Sequence, residues 1–591
     1  MMKVRQMRVK TLWWFVPLVL FATTCLYYFR RSEFPVEYKS LEVEAEYWRN
    51  HGRETGNLPD QITLKTLSAK DVHLYFHSYL DNLGTLCHRT IRLGTIFNGG
   101  YRVCDDEQYR PRVPCIVYSF GMNTECEWEN EAAQLYGCQV HYFDPSLQEK
   151  PRNLSDQVAW HRVGLGGRKG ELEWWAAADR DAKGWTTRSL SDIKTGLTGH
   201  TDVILDVVKL DIEGWEWTAL ADMAASGELD KVRQLVVELH NVEGTDADVT
   251  RQRLSVLRAV ENAGFQIFST NLDEWTGERQ RGVYPVERTS IYEVSFVNTK
   301  LARTDVTPQL DSSKPQAQVE GKPLPGVVDM EFLRAHGAER GGLPDDDQLF
   351  HGMLDKQVHY AYHSYLDNVH YHCKRTIKLG NLIDGGYKVC DDRQFQPQKP
   401  CLAYSFGIRN DFSFDDDVAS VYGCNVSSFD PSMDANNHRH SSMVTYYKLG
   451  LGGKGGQLEE KGEQLKAENH WTVKSMSDIK KMLGHSDRIL DVVKIDIEAS
   501  EWPALADMAA SGELSKVRQL LMEFHIYGGS DAELMRRRVA VIRLLEKAGF
   551  RAFYTWQFAG WPGIERMRGV YPVIRTICYE TSFVNINLAR P

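Results

Sequence analysis

The chain has 591 residues, 42% hydrophobic and 11% aromatic, and a formal net charge of −10. This is a globular composition, long enough for two or more domains with sizeable cores, and it excludes a disordered or fibrous chain. The acidic balance lacks the basic footprint that a nucleic-acid partner leaves.

Residues 1–10 carry Lys3, Arg5, Arg8 and Lys10, and residues 11–28, TLWWFVPLVLFATTCLYY, carry no charge. That run is just long enough to span a bilayer as a helix. Trp13, Trp14, Tyr27 and Tyr28 stand where interfacial aromatics stand. The basic flank precedes the run, which predicts a cytosolic tail over 1–10 and a retained signal anchor over 11–28. The body is then lumenal: a single-pass type II protein of the Golgi or another secretory-pathway membrane. A cleaved signal peptide is the alternative; the run is long for one, and no small-x-small site follows it.

Cysteine usage agrees with an oxidising lumen. Cys87, Cys104, Cys115 and Cys138 recur as Cys373, Cys390, Cys401 and Cys424, which predicts two disulfides in each half, with three pairings open in each. Cys126 and Cys578 have no counterpart in the other half and read as free thiols. Asn153 and Asn425 lie in glycosylation sequons.

The body is one unit written twice. HSYLDN at 77–82 returns at 363–368, YGC at 136–138 returns at 422–424, and FDPS at 143–146 returns at 429–432, all at one offset. RGVYPV and SFVN at 281–286 and 295–298 return at 568–573 and 582–585. So long a period means tandem domains, over 43–298 and 329–588. The segment 299–328, rich in Pro, Ser and Gln, reads as a flexible linker.

Within the first unit the apolar runs 115–121, 139–145, 203–211 and 232–240 read as buried strands. Helical spacing falls between them at 129–137, 189–197, 216–227 and 248–264, the first, third and last closed by Gly137, Gly227 and Gly264. HRVGLGG at 161–167 and ELEWWAA at 171–177 read as a strand, a turn and a further strand. RGVYPV and SIYEVSFVN close the unit as a strand pair. Alternating strands and helices predict α/β domains with a mostly parallel sheet.

In such a sheet ligands bind at the carboxyl ends of the strands. The first strand ends in Ser119 and Gly121, the second in Asp144, the next in Asp211 and Glu213, and the next in Glu238 and His240. The second unit repeats them as Ser405, Gly407, Asp430, Asp496, Glu498, Glu523 and His525. A strand-two acid suits ribose hydroxyls, and a glycine ending strand one suits close approach of a ligand. No GxGxxG follows, which argues against a dinucleotide.

YSFGIRNDFSFDDDVASVYGC, SFDPS, DVVKIDIEASEW and QLLMEFH together resemble the methyltransferase-like protein 24 family, related to the FkbM-type S-adenosylmethionine O-methyltransferases. The resemblance covers both units. It implies two tandem class I, Rossmann-like, seven-stranded methyltransferase domains, with S-adenosylmethionine near Ser119, Gly121 and Asp144 and near Ser405, Gly407 and Asp430. The acceptor then faces DIE and the Glu-x-His segments. There are departures: Ser119 and Ser405 stand where most class I enzymes carry an acid. NTECEWEN replaces NDFSFDD in the first unit, and Ala499 replaces Gly214 in the second.

Methyl transfer to a hydroxyl needs the proton removed. His240 and His525 are the candidate bases, with Glu213 and Glu498 second and Asp211 and Asp496 beside them. Alternatively Asp211 with Glu238, and Asp496 with Glu523, hold a divalent metal, or Asp211 and Asp496 merely cap the helices that follow. The expected function is O-methylation of a glycan or other small lumenal hydroxyl acceptor. The alternative is a membrane-tethered scaffold built on decayed methyltransferase domains.

Overall fold

The computed structural model describes residues 58–94, 100–121, 126–146, 155–167, 185–241, 246–272, 289–304, 343, 347–381, 384–526, 531–557, 576 and 578–591. The anchor at 11–28, linker residues 305–328, the RGVYPV segments, ELEWWAA and Asn153 lie outside these residues; the linker's first residues, expected to be flexible, instead form a 3-10 turn at Thr299–Leu301, with Arg303 bonded to Asp206. Among the described residues no helix is long and apolar enough to cross a membrane.

The main sheet of the first unit has seven strands: β1 (Ile116–Phe120), β2 (Gln139–Phe143), β3 (Val158–His161), β4 (Leu205–Leu210), β5 (Val232–His240), β6 (Phe265–Leu272) and β7 (Ile291–Asn298). Their order is β3-β2-β1-β4-β5-β7-β6. The first five are parallel, and β7 runs antiparallel between β5 and β6. The second unit repeats the arrangement with β8 (Leu402–Phe406), β9 (Asn425–Phe429), β10 (Val444–Tyr447), β11 (Leu490–Ile495), β12 (Val517–His525), β13 (Phe550–Gln557) and β14 (Cys578–Asn585). A two-residue edge strand, His438–Arg439, is added beside β10.

The sheets form where β-branched and aliphatic runs can be buried on both faces. Every residue of LDVVKL in β4 and of VRQLVVELH in β5 is buried, as a central parallel strand requires. Helices cover the sheet: Glu127–Tyr136, Glu216–Ala225 and Ala247–Asn262 in the first unit, Ser413–Tyr422, Glu501–Ala510 and Ala532–Lys547 in the second. The helix expected over 189–197 is shorter: an α-turn at Leu190–Ile193 passes into a π-turn at Lys194–Thr198.

The disulfides are Cys87–Cys104 and Cys115–Cys138, repeated as Cys373–Cys390 and Cys401–Cys424. In each unit one joins the ends of a short hairpin (Thr90–Leu93 with Tyr101–Cys104 in the first), and the other ties the starts of the first two sheet strands. Among the described residues Cys126 and Cys578 take part in no disulfide. His77 and His363 of the repeated HSYLDN are buried structural residues, each bonded to a tyrosine hydroxyl of the closing strand, Tyr292 at 2.6 Å and Tyr579 at 2.8 Å.

The same motif joins the units. Asn82 accepts from Thr376 N and Oγ1 at 2.7 and 3.0 Å, and Asn368 accepts from Thr90 N at 2.5 Å. Lys388 donates to the carbonyl of Asp81 at 2.9 Å, and Arg102 donates to the carbonyl of Asp367. The threonine N–H to asparagine bonds and the Lys388 and Arg102 bonds to the aspartate carbonyls are made by equivalent residues in both directions, so the duplicated halves meet through an isologous, pseudo-twofold interface.

Candidate functional site

The strand order reverses between β1 and β4, so the crevice of each sheet opens at the carboxyl ends of these two strands. Gly121 turns the chain there with φ +76°, and a Cβ on it would lie 1.7 Å from the Asp211 carbonyl oxygen. Gly407 has the same φ, and its Cβ would lie 1.6 Å from the Asp496 carbonyl. The expected reason for these glycines was ligand approach; the neighbouring strand end already forbids any larger residue.

Asp144 and Asp430 are fixed by their own FDPS turns. Oδ1 of each accepts from the backbone N–H and hydroxyl of the serine two residues on, Ser146 or Ser432, at 2.8 and 2.6 Å. Oδ2 of Asp144 accepts from Tyr142 at 3.2 Å, and Oδ2 of Asp430 accepts from Arg409 N at 2.9 Å. The latter bond ties the turn after Gly407 to the second strand, with Arg409 and Asn410 both in the left-handed region.

The acid missing from β1 arrives from the following helix. Ser119 donates to Glu129 at 2.5 Å, and Lys209 lies 3.7 Å from the same carboxylate, with neither charge exposed. Lys209 also donates to the Gly121 carbonyl at 3.4 Å. In the second unit the equivalent acid, Asp415, accepts from Ser428 at 2.7 Å, and Lys494 donates to Gly407 O at 3.1 Å. A buried acid and a buried lysine thus support each glycine turn from below.

Beside this turn the sheet edge gathers the remaining candidates. His240 places Nδ1 3.1 Å from Glu216 and Nε2 3.3 Å from Glu238 and 3.4 Å from Glu213. Burial opposes a charge on His240, yet the Glu216 and Glu238 carboxylates push it up to about 11. Glu238 is pushed up to about 7, chiefly by burial, with His240 opposing and Asp211 and Glu293 adding to the rise. Tyr101 from the hairpin donates to Glu238 at 3.1 Å. The second unit matches: His525 lies 3.3 Å from Glu501, 3.6 Å from Glu523 and 4.0 Å from Glu498, and Tyr387 lies 3.4 Å from Glu523.

The structure therefore brings His240, Glu238 and Glu213 together, and likewise His525, Glu523 and Glu498. It changes three expectations. The carboxylates around His240 and His525 favour their protonated forms, which have no lone pair with which to take a proton, and this disfavours both as bases. Asp211 and Asp496 cap nothing, because the helices that follow are N-capped by Trp215 and Ser500 without side-chain bonds. Among the described residues no cluster of three metal-ligating side chains includes Asp211 or Glu238, whereas Asp496 and Glu523 join one with Asp384. The turn after Asp211 and Asp496 is left-handed in both units, at Glu213–Gly214 and at Glu498–Ala499.

Sequence reasoning missed Tyr101 and Tyr387, Glu129 and Asp415, Lys209 and Lys494, and the partnership of Glu216 and Glu501 with the histidines. One signal was available: a lysine inside VVKLD and VVKID must be buried, and a buried lysine demands a nearby carboxylate.

A family described as "Methyltransferase domain" matches residues 46–284 and 351–557, one stretch in each unit. The relatives named "Probable methyltransferase-like protein 24" are 25% identical over 211 residues in Homo sapiens and 28% identical over 192 residues in Rattus norvegicus. These alignments take 34% and 32% of this chain, and span about half the length of the relatives, 55% and 51%. Among solved structures, Haemonchus contortus phosphoethanolamine N-methyltransferase 2, in complex with phosphomonomethylethanolamine and S-adenosylhomocysteine, is 10% identical and covers 80% of this chain and 94% of its own, at a TM-score of 0.16. A second structure of that enzyme, with S-adenosyl-L-methionine, covers 74% and 79% at 0.17. Superpositions this loose carry no argument about the site. The family match spans most of the chain and falls on both units, and the chain belongs to the methyltransferase-domain family, as two tandem copies.

Proposed function

We propose that the protein is an S-adenosylmethionine-dependent O-methyltransferase acting on a hydroxyl of a glycan or other small acceptor in the lumen of the Golgi or a neighbouring secretory compartment. The observation that carries this reading is the twice-built sheet edge, with a glycine turn at the strand-order reversal, a fixed strand-two aspartate beside it and a buried Glu-x-His next along. Four disulfides, the uncharged run at 11–28 and the sequons support the lumenal placement.

Ser119, Gly121 and Asp144 in the first unit, and Ser405, Gly407 and Asp430 in the second, would hold the cofactor, which supplies an electrophilic methyl group. The donor set suits it: a carboxylate for ribose hydroxyls beside the glycine turn at the strand-order reversal. In the first unit Glu238 is the general base. Its carboxylate receives the acceptor's proton, while Tyr101 and the His240 imidazolium hold it in place. Glu216 keeps that imidazolium charged and oriented.

The test is calorimetric titration of the whole chain, purified with its disulfides intact, with S-adenosylmethionine. Asp144→Ala and Asp430→Ala are made singly and together. Saturable binding that one or both changes remove is the expected result and names the working unit. Folded protein that binds no cofactor would overturn the enzyme reading and favour the scaffold.

A further inference from the structure

The two sheet edges differ in one respect that the duplication does not explain. In β7 the residue paired with His240 is Ile291; in β14 the residue paired with His525 is Cys578. Cys578 is a buried free thiol with Sγ 2.8 Å from Glu523 Oε1, and His525 Nε2 lies 3.6 Å from that oxygen. Ligand atoms of Glu523, His525 and Cys578 all lie within 4.8 Å of one another. Asp384 and Asp496 reach the same glutamate within the same span, and the first unit has Asn98 where the second has Asp384.

We propose that the second unit, and not the first, binds one divalent cation of the zinc class through Cys578, His525 and Glu523, with Asp496 at the open side. Three observations converge on it. The ligand set is mixed sulfur, nitrogen and oxygen, which selects zinc-class ions over magnesium or calcium. The imidazole is already oriented as a ligand, since Glu501, fully buried, holds Nδ1 at 3.3 Å and turns Nε2 toward the cluster; a carboxylate behind a histidine is the usual outer partner of a metal-bound imidazole. The soft ligand appears only in the copy that also gained a further acid. Binding releases to solvent the Cys578 thiol proton, the His525 Nε2 proton that the surrounding carboxylates favour, and any proton on Glu523; it leaves a thiolate–metal bond, with no change of oxidation state. The site stands on these residues whether or not methyl transfer occurs there.

The whole chain is stripped of metal and titrated with Zn²⁺ and, as a spectroscopic probe, Co²⁺. The expected result is one tight equivalent per chain, with a thiolate-to-cobalt charge-transfer band. Cys578→Ser abolishes the band and weakens binding by more than about 100-fold, and Glu501→Gln weakens it by about 10- to 100-fold. Cys578→Ile, which installs the residue the first unit carries, does the same and guards against misfolding of the serine variant. His240→Asn leaves the stoichiometry at one. The absence of a tight equivalent, or a cobalt spectrum unchanged in Cys578→Ser or Cys578→Ile, would overturn the proposal.

Discussion

At the scale of single residues, the first unit's chemistry turns on where a proton sits among Glu216, His240 and Glu238. Glu216 is fully buried and accepts from both the backbone N–H and the ring of His240, at 2.5 and 3.1 Å. That pairing favours the imidazolium and leaves Glu238 as the group that titrates near neutrality. Glu238 faces Tyr101 from the hairpin, His240 on its own strand, Asp211 just after β4 and Glu293 from β7. If its ionised form is the base, kcat/KM should rise about tenfold per pH unit below about 7 and level off above it. Glu238→Gln should remove that limb along with most of the rate. Stability should move the other way. A carboxyl whose folded pKa exceeds its unfolded value contributes stability that is present below about 4.5 and lost as pH rises through about 7. Denaturant titrations across that window should show the decline, and Glu238→Gln should flatten it.

At the scale of elements, the support beneath the glycine turn links β1, the helix after it and β4 through a lysine that no water reaches. Lys209 and Glu129 are both fully buried, so the pair is costly to break and cheap to replace whole. Lys209→Met alone should lose about 3–5 kcal/mol, because it strands the Glu129 charge. Lys209→Met with Glu129→Leu should recover most of that loss in equilibrium unfolding, and a double variant no better than the single would show that the ion pair is not what holds the turn. The elements themselves were legible from the sequence. Apolar runs such as VILDVVKLD mark strands buried on both faces, and Gly137 and Gly227 mark helix ends because the chain turns left-handed there. The candidate site was legible only along the chain: Asp211, Glu213, Glu238 and His240 follow strands that periodicity reveals. Tyr101 and Glu129 come from a hairpin and a helix whose placement over the sheet edge depends on tertiary packing, which no local pattern encodes. Cys578 was visible as an unmatched cysteine, but its neighbour His525 is set by antiparallel register.

At the scale of the molecule, the isologous interface gives a physical reason for both copies to persist. Each half satisfies backbone groups of the other: the Thr90 and Thr376 N–H groups donate to Asn368 and Asn82 across the boundary. One copy can diverge in chemistry, as Ala499, Asp384 and Cys578 mark the second, and still be needed to complete the first. Covalent linkage by residues 299–328 then serves to raise the local concentration of the halves and not to create their contact. A protease site placed within 305–328 separates these contributions. Cleaved wild-type halves should still co-elute in size-exclusion chromatography at micromolar concentration. Asn82→Ala with Asn368→Ala removes three hydrogen bonds across the boundary, besides the bonds each asparagine makes to Ser78 or Ser364 in its own unit, and leaves the buried Thr90 and half-buried Thr376 N–H groups without these partners, at about 1–3 kcal/mol for each group. That double variant should weaken association of the cleaved halves by at least about 10-fold, and in the uncleaved chain should split one calorimetric unfolding transition into two. Wild-type halves that part on cleavage would mean that the linker alone holds the units together, and that the pseudo-twofold contact does not explain why two were kept.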